Sequence, residues 1–144
     1  MPRLIFCLCL LLMWPPSILA GDLMLFRGSD GRTGTVMDLG GGLMSYQDSH
    51  GTSGLLTDLG GGFATFQNSR GTSGMILDHG GGMQTFSDNR GTFGTIQSLG
   101  GGMRTFQDNR GTSGMILDLG GGIQTYQLAP RRGRTFGTLQ DPGR

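Results

Sequence analysis

Residues 51–70 read GTSGLLTDLGGGFATFQNSR. The same twenty positions recur from Gly31 to Pro130 without a slip of register, and Gly-Gly-Gly returns at 40–42, 60–62, 80–82, 100–102 and 120–122. Each copy is a supersecondary unit that cannot bury a face alone, so neighbouring copies must cover one another. A weaker ten-residue period runs inside the unit. Gly opens each half, an apolar residue takes the sixth place (Leu56 and Phe66) and Asp usually takes the eighth, as at Asp58.

The pattern apolar-x-Asp-x-x-Gly has a local mechanism. Asp caps a turn through its side chain, two residues form a type I turn, and Gly takes the left-handed position that closes it with a bulge. Five or six residues rich in Thr, Ile, Met, Phe and Ser remain between turns, enough for one short strand. The expected fold is all-β: a repetitive antiparallel β-meander built from 20-residue hairpin repeats. It would have about eleven or twelve strands joined by three-residue loops and rolled or stacked to cover one face. A β-solenoid with 20-residue coils is the alternative. A membrane barrel is disfavoured, because spanning strands need about 9–11 residues.

Setting Asp48 against Thr52, and Asp58 against Gly62, puts Tyr46 opposite Gly54 and Gly54 opposite Phe66. One continuous row then alternates rings with glycines, from Phe26 and Gly34 through Phe86 and Gly94 to Tyr126. A ring lying across a strand glycine compensates for the missing side chain. Val36, Met44, Leu56, Ala64, Ile76, Ile96 and Ile116 share that face, which is the one expected to be buried. Ser45, Thr65, Thr85, Thr105 and Thr125 lie on the other, more polar face, with Gln47, Gln67, Gln107 and Gln127 beside them.

Residues 1–20 differ in kind. Arg3 precedes an apolar run from Leu4 to Met13, Trp14-Pro15-Pro16 breaks it, and Ser17-Ile18-Leu19-Ala20 ends in a small residue. This is a signal-peptide layout with cleavage expected after Ala20. The expected organisation is a signal peptide at 1–20 and a tandem hairpin domain at 21–130. That domain holds five full units at 31–130 and an N-terminal half-unit. Residues 131–144 form an Arg-rich insertion and a degenerate last strand. In that last segment Thr135-Phe136-Gly137-Thr138-Leu139 repeats Thr92-Phe93-Gly94-Thr95-Ile96, offset by 43 residues where the period demands 40. The chain is therefore expected to be exported, periplasmic or extracellular, with no transmembrane segment after cleavage.

Cys7, Cys9 and Trp14 all lie within the signal segment, so the mature chain has no disulfide available. Its bases are Arg and its acids Asp, ten of each after Arg3 is removed, with no Lys and no Glu. A balanced charge argues against nucleic acid as a bulk electrostatic partner.

Repeats make copies, whereas catalysis needs a unique constellation. His50 and His79 are isolated and make neither a triad nor a metal site. The Gly-Gly-Gly triplets are followed by strands, so no helix N-terminus is there to hold phosphate. A nonapeptide calcium repeat needs Asp after its glycines, and none follows here. No cofactor and no metal are expected. The turn spacing is similar to that of choline-binding cell-wall repeats, but their Gly-Trp and Trp-Tyr pairs are missing, so the similarity is to a turn type only.

Two residue sets stand out as candidate sites. His50, Arg70, Arg90 and Arg110 occupy equivalent turns and form a candidate interaction edge. Tyr46, Phe66, Phe86, Phe106 and Tyr126 form a candidate aromatic platform if the rings are exposed. The expected function is a non-enzymatic repeat protein presenting a structural or protein-interaction surface. The alternative is a polysaccharide or cell-wall-binding module that uses the aromatic row, and a hydrolase comes third.

Overall fold

The two halves of the unit turn in different ways, and that difference shapes the sheet. The computed structural model describes residues 23–129 and 133–140. Among them are twelve strands and no helix: β1 (Leu23–Gly28), β2 (Thr33–Gly40), β3 (Leu43–Asp48), β4 (Ser53–Gly60), β5 (Phe63–Asn68), β6 (Ser73–Asp78), β7 (Met83–Asp88), β8 (Phe93–Gly100), β9 (Met103–Asp108), β10 (Ser113–Gly120), β11 (Ile123–Ala129) and β12 (Thr135–Gln140). Every neighbouring pair is antiparallel, and β12 pairs with β1, so the meander closes into a barrel. A solenoid would need parallel ladders. The expected signal peptide at 1–20, its expected cleavage point before Gly21, part of the Arg-rich insertion (Arg131 and Arg132) and residues 141–144 lie outside the described residues.

At one end of the barrel the expected turn forms. The Asp48 N–H donates to the Thr52 carbonyl (2.9 Å), and the Gly51 N–H donates back to the Asp48 carbonyl (3.2 Å). Gly51 has φ +73°. Asp48 Oδ1 accepts from the N–H groups of His50 and Thr52, both at 2.9 Å. The side chain thus satisfies two donors that the loop would otherwise leave unpaired.

At the other end the expectation fails. Asp58 faces Ala64, not Gly62, and Gly60 faces Phe63. Only Gly61 and Gly62 lie between, with φ +63° and +79°. Two successive positive φ values describe a type I′ hairpin, whose twist matches that of the flanking strands. Three glycines in a row permit it. Ser49 and His50 in the first turn carry side chains that resist positive φ, so that turn keeps the type I geometry and its closing glycine.

The corrected register moves the aromatic row. Tyr46 faces Gly54, as expected, but on its other side it faces Val36. Phe66 sits between Leu56 and Gly74, and Phe86 between Ile76 and Gly94. Crossing two strands from Phe26 through Gly34 leads to Asp48, two residues past the equivalent Tyr46. Every unit adds this step of two. A sheet can close only if its strands are staggered and tilted, and the accumulated step supplies the stagger.

The interior holds the face expected to be buried. Phe66, Phe86 and Tyr126 are nearly inaccessible, as are Val36, Leu56, Ile76 and Ile116. Phe26, Phe66, Phe86, Phe106 and Tyr126 each cover the glycine of the next strand. A Cβ built on Gly74 would lie 2.5 Å from Phe66 Cζ and would also strike the Ser87 carbonyl. The outer wall carries the Thr and Gln rows.

The last strand is a full member of the barrel. Tyr126 faces Gly137 as Phe106 faces Gly114, and Leu139 is wholly buried against Phe26. The offset of 43 leaves no bulge in β12, which pairs regularly with both β11 and β1. At this seam Gly28 faces Gly137, and the Tyr126 hydroxyl lies over both glycines.

Two outcomes test this geometry. Gly74→Val should destabilise the barrel by about 1–3 kcal/mol, whereas Ser73→Val, on the exposed wall, should cost far less. Denaturant midpoints of the two variants make the comparison. Deleting residues 71–90 removes two strands and one two-residue step together, so pairing can persist while the barrel narrows around crowded core side chains. Thermal melting should stay cooperative but fall by about 5 °C or more.

Candidate functional site: the two rims of the barrel

His50, Arg70, Arg90 and Arg110 stand in four successive turns on one rim. Strand spacing puts neighbours about 9.5 Å apart around the barrel. Each arginine reaches back along the rim. Arg70 Nη2 donates to the His50 carbonyl (3.2 Å), Arg90 Nη2 to the Arg70 carbonyl (2.6 Å) and Arg110 Nη2 to the Arg90 carbonyl (2.7 Å). Asn89 and Asn109 add a second lashing through Nδ2 to the Gly71 and Gly91 carbonyls, both at 2.9 Å. The guanidinium groups are thereby held in an arc. The carboxylates beneath them are engaged: Asp88 Oδ1 accepts from Arg90 N and Thr92 N, and Asp108 Oδ1 from Arg110 N and Thr112 N.

A buried polar group lies below this arginine rim. Arg32 takes the inward place that Thr52, Thr72, Thr92 and Thr112 hold in the other units. Its Nη1 is 3.8 Å from Asp48 Oδ2, and the Asp48 side chain is 1% exposed. Neither atom has a hydrogen-bond partner in the structure, nor does the buried Thr52 Oγ1. In the sequence Asp48 and Thr52 stood out only as turn partners and Arg32 was not singled out, although the break in the Thr series at Arg32 was visible there.

The opposite rim is made of the glycine turns. Asp38, Asp58, Asp78 and Asp118 line its inner edge, and Oδ1 of each accepts from the glycine N–H two residues on, at 2.7–2.8 Å. Gln84 Nε2 donates to Asp78 Oδ2 (3.3 Å). Arg104 faces this mouth from β9. Burial lowers its pKa from the ordinary value, while the charge of Asp118 works in the opposite direction. Outside, the same rim carries an apolar collar. Leu59 and Leu119 are each 59% exposed, Leu39 and Leu99 each 50%, and Met83 and Ile123 continue the band.

The rims therefore differ in charge. Among the described residues, the glycine rim sets four Asp against Arg104. The arginine rim sets Arg27, Arg32, Arg70, Arg90, Arg110 and Arg134 against Asp30, Asp48, Asp88 and Asp108.

The candidate platform of Tyr46, Phe66, Phe86, Phe106 and Tyr126 has no exposed ring face. All five residues are buried inside the barrel, because their glycine partners leave room only on the inner side. The exposed rings are elsewhere: Phe93 and Phe136, each 60% exposed, on the outer wall toward the arginine rim. His50 and His79 sit at opposite ends, His50 Nδ1 near Ser49 Oγ (3.3 Å) and His79 Nε2 near Thr85 Oγ1 (2.9 Å). No group of three His, Cys, Asp or Glu among the described residues is placed to hold a metal.

The turn chemistry has a built-in control. Asn68 Oδ1 accepts from Arg70 N and Thr72 N at 2.9 and 3.0 Å, as the aspartates do in their turns. Asp108→Asn should therefore leave stability within about 0.5 kcal/mol, whereas Asp108→Ala should cost about 1–3 kcal/mol by orphaning two N–H groups. Chemical denaturation of both variants checks it. Compared with protein-family models, curated proteins and solved structures, the chain matches none of them.

Proposed function

We propose that this chain is an exported, non-enzymatic structural protein whose barrel presents repeated surfaces to other protein. The observation that carries the reading is the apolar collar at the glycine rim. The core is already filled by the inward face, so Leu39, Leu59, Leu99 and Leu119 have no internal task. An exposed apolar band of this kind, interrupted only by His79 in the middle unit, marks an interaction site. The polar groups support the same reading. Most of the described Asp side chains cap turns, and the two histidines are at opposite ends of the barrel. Burial of the five rings favours this reading over a polysaccharide platform. Export, to a periplasmic or extracellular site, rests on the layout of residues 1–20.

Photo-crosslinking in intact cells tests it. A photoreactive residue at position 59 or 119 should give protein adducts, while one at Thr105, halfway up the wall, should give few. The exported chain should begin at or within a few residues of Gly21. Equal labelling at the collar and the wall, or an intact Met1 in a membrane fraction, would sink the proposal.

A further inference from the structure

We infer that the partner is a second copy of this chain, bound head to tail, with the arginine rim of one barrel seated on the glycine rim of the next. The inference rests on the proposed interaction role and names its occupant. Three observations point to it. First, the rims are opposite in charge, with Asp38, Asp58 and Asp78 on one and Arg70, Arg90 and Arg110 on the other. Second, the rims have the same period. Each set occupies three consecutive units of a single barrel, one charge for every two strands. Two copies pointing the same way also run through their units in the same rotational order. A turn about the barrel axis can therefore bring the three arginines over the three aspartates together. Back-to-back pairing would meet like with like and reverse that order. Third, both rims expose apolar side chains beside the charges. Leu39, Leu59 and Leu119 stand at the glycine rim, and Phe93 and Phe136 are on the wall toward the arginine rim. The glycine tips carry no side chains to hold the two ends apart.

A contact between two different surfaces of one molecule does not close by itself. With the barrel axis as its direction, it propagates as a filament. The assembly expected is an open series, not a dimer.

Sedimentation of the mature chain over a wide concentration range is the first test. At about 0.02 M salt the average mass should climb without a plateau, and at about 0.5 M salt it should fall back, since contacts between exposed charges are screened. Two triple variants are the second. Arg70→Gln with Arg90→Gln and Arg110→Gln neutralises one rim. Asp38→Asn with Asp58→Asn and Asp78→Asn neutralises the other, and Asn can keep the turn bonds as Asn68 does. Each variant alone should associate at least about tenfold more weakly, the fold-change that corresponds to about 1.4 kcal/mol. An equimolar mixture has one intact arginine rim and one intact aspartate rim for each pair of molecules, so it should form dimers and stop there. A wild-type chain that stays monomeric, a wild-type mass that plateaus at a dimer, or a mixture that fails to pair would overturn the inference. A monomeric wild type that still gives collar adducts with a different protein would overturn this partner and leave the proposed function standing. Loss of the collar adducts would remove both.

Discussion

The barrel depends on a disagreement between two turns. The Asp-x-x-Gly end of each hairpin uses three loop residues, and the Gly-Gly-Gly end uses two. If both ends used three, the strands would stack level and the sheet would have no reason to close. The shorter loop and a bulge just before it, between Asp38 and Gly40 and between Asp58 and Gly60, together move each unit forward by two residues, and the steps accumulate in one direction. Stagger and strand number rise together in such a chain, which keeps strand tilt independent of how many units are present.

Packing follows from that register. In a staggered barrel each ring has an aliphatic neighbour on one side and a glycine on the other, so it can lie flat across the glycine without meeting a second ring there. Phe66 over Gly74 and Phe106 over Gly114 show the arrangement. The ring restores apolar contact to a strand position that has no side chain of its own. At the seam two glycines face each other, and a tyrosine spans both.

Much of this was legible in the sequence. Strand positions, the buried face and the capped turn at Asp48 follow from period-two patterning and from the chemistry of Asp and Gly. The stagger was not, and the reason is physical. A one-residue slip would have thrown Phe66 to the outer wall, and the hydrophobic pattern forbids it. A two-residue slip returns every side chain to the same face, so the pattern cannot detect it. Only the turn type distinguishes the registers, and three glycines accept either. The same limit applied to the rims. Asp48 and Asp58 look alike as turn caps along the chain. That they stand at opposite ends of the barrel, one under arginines and the other inside a leucine collar, becomes visible only once the strands have direction.

The seam between β1 and β12 has a consequence for how the chain reaches its fold. Every other pairing joins consecutive strands, and such contacts form quickly because little loop entropy is spent on closing them. The pairing of Phe26 with Leu139 spans nearly the whole chain. Folding should therefore proceed as rapid zipping into a curved ribbon, followed by one slow event that joins its ends. Until that event both terminal strands are open edges, able to recruit a neighbouring chain. A polypeptide delivered from its N-terminus would hold β1 in that unguarded state until its final strand arrives.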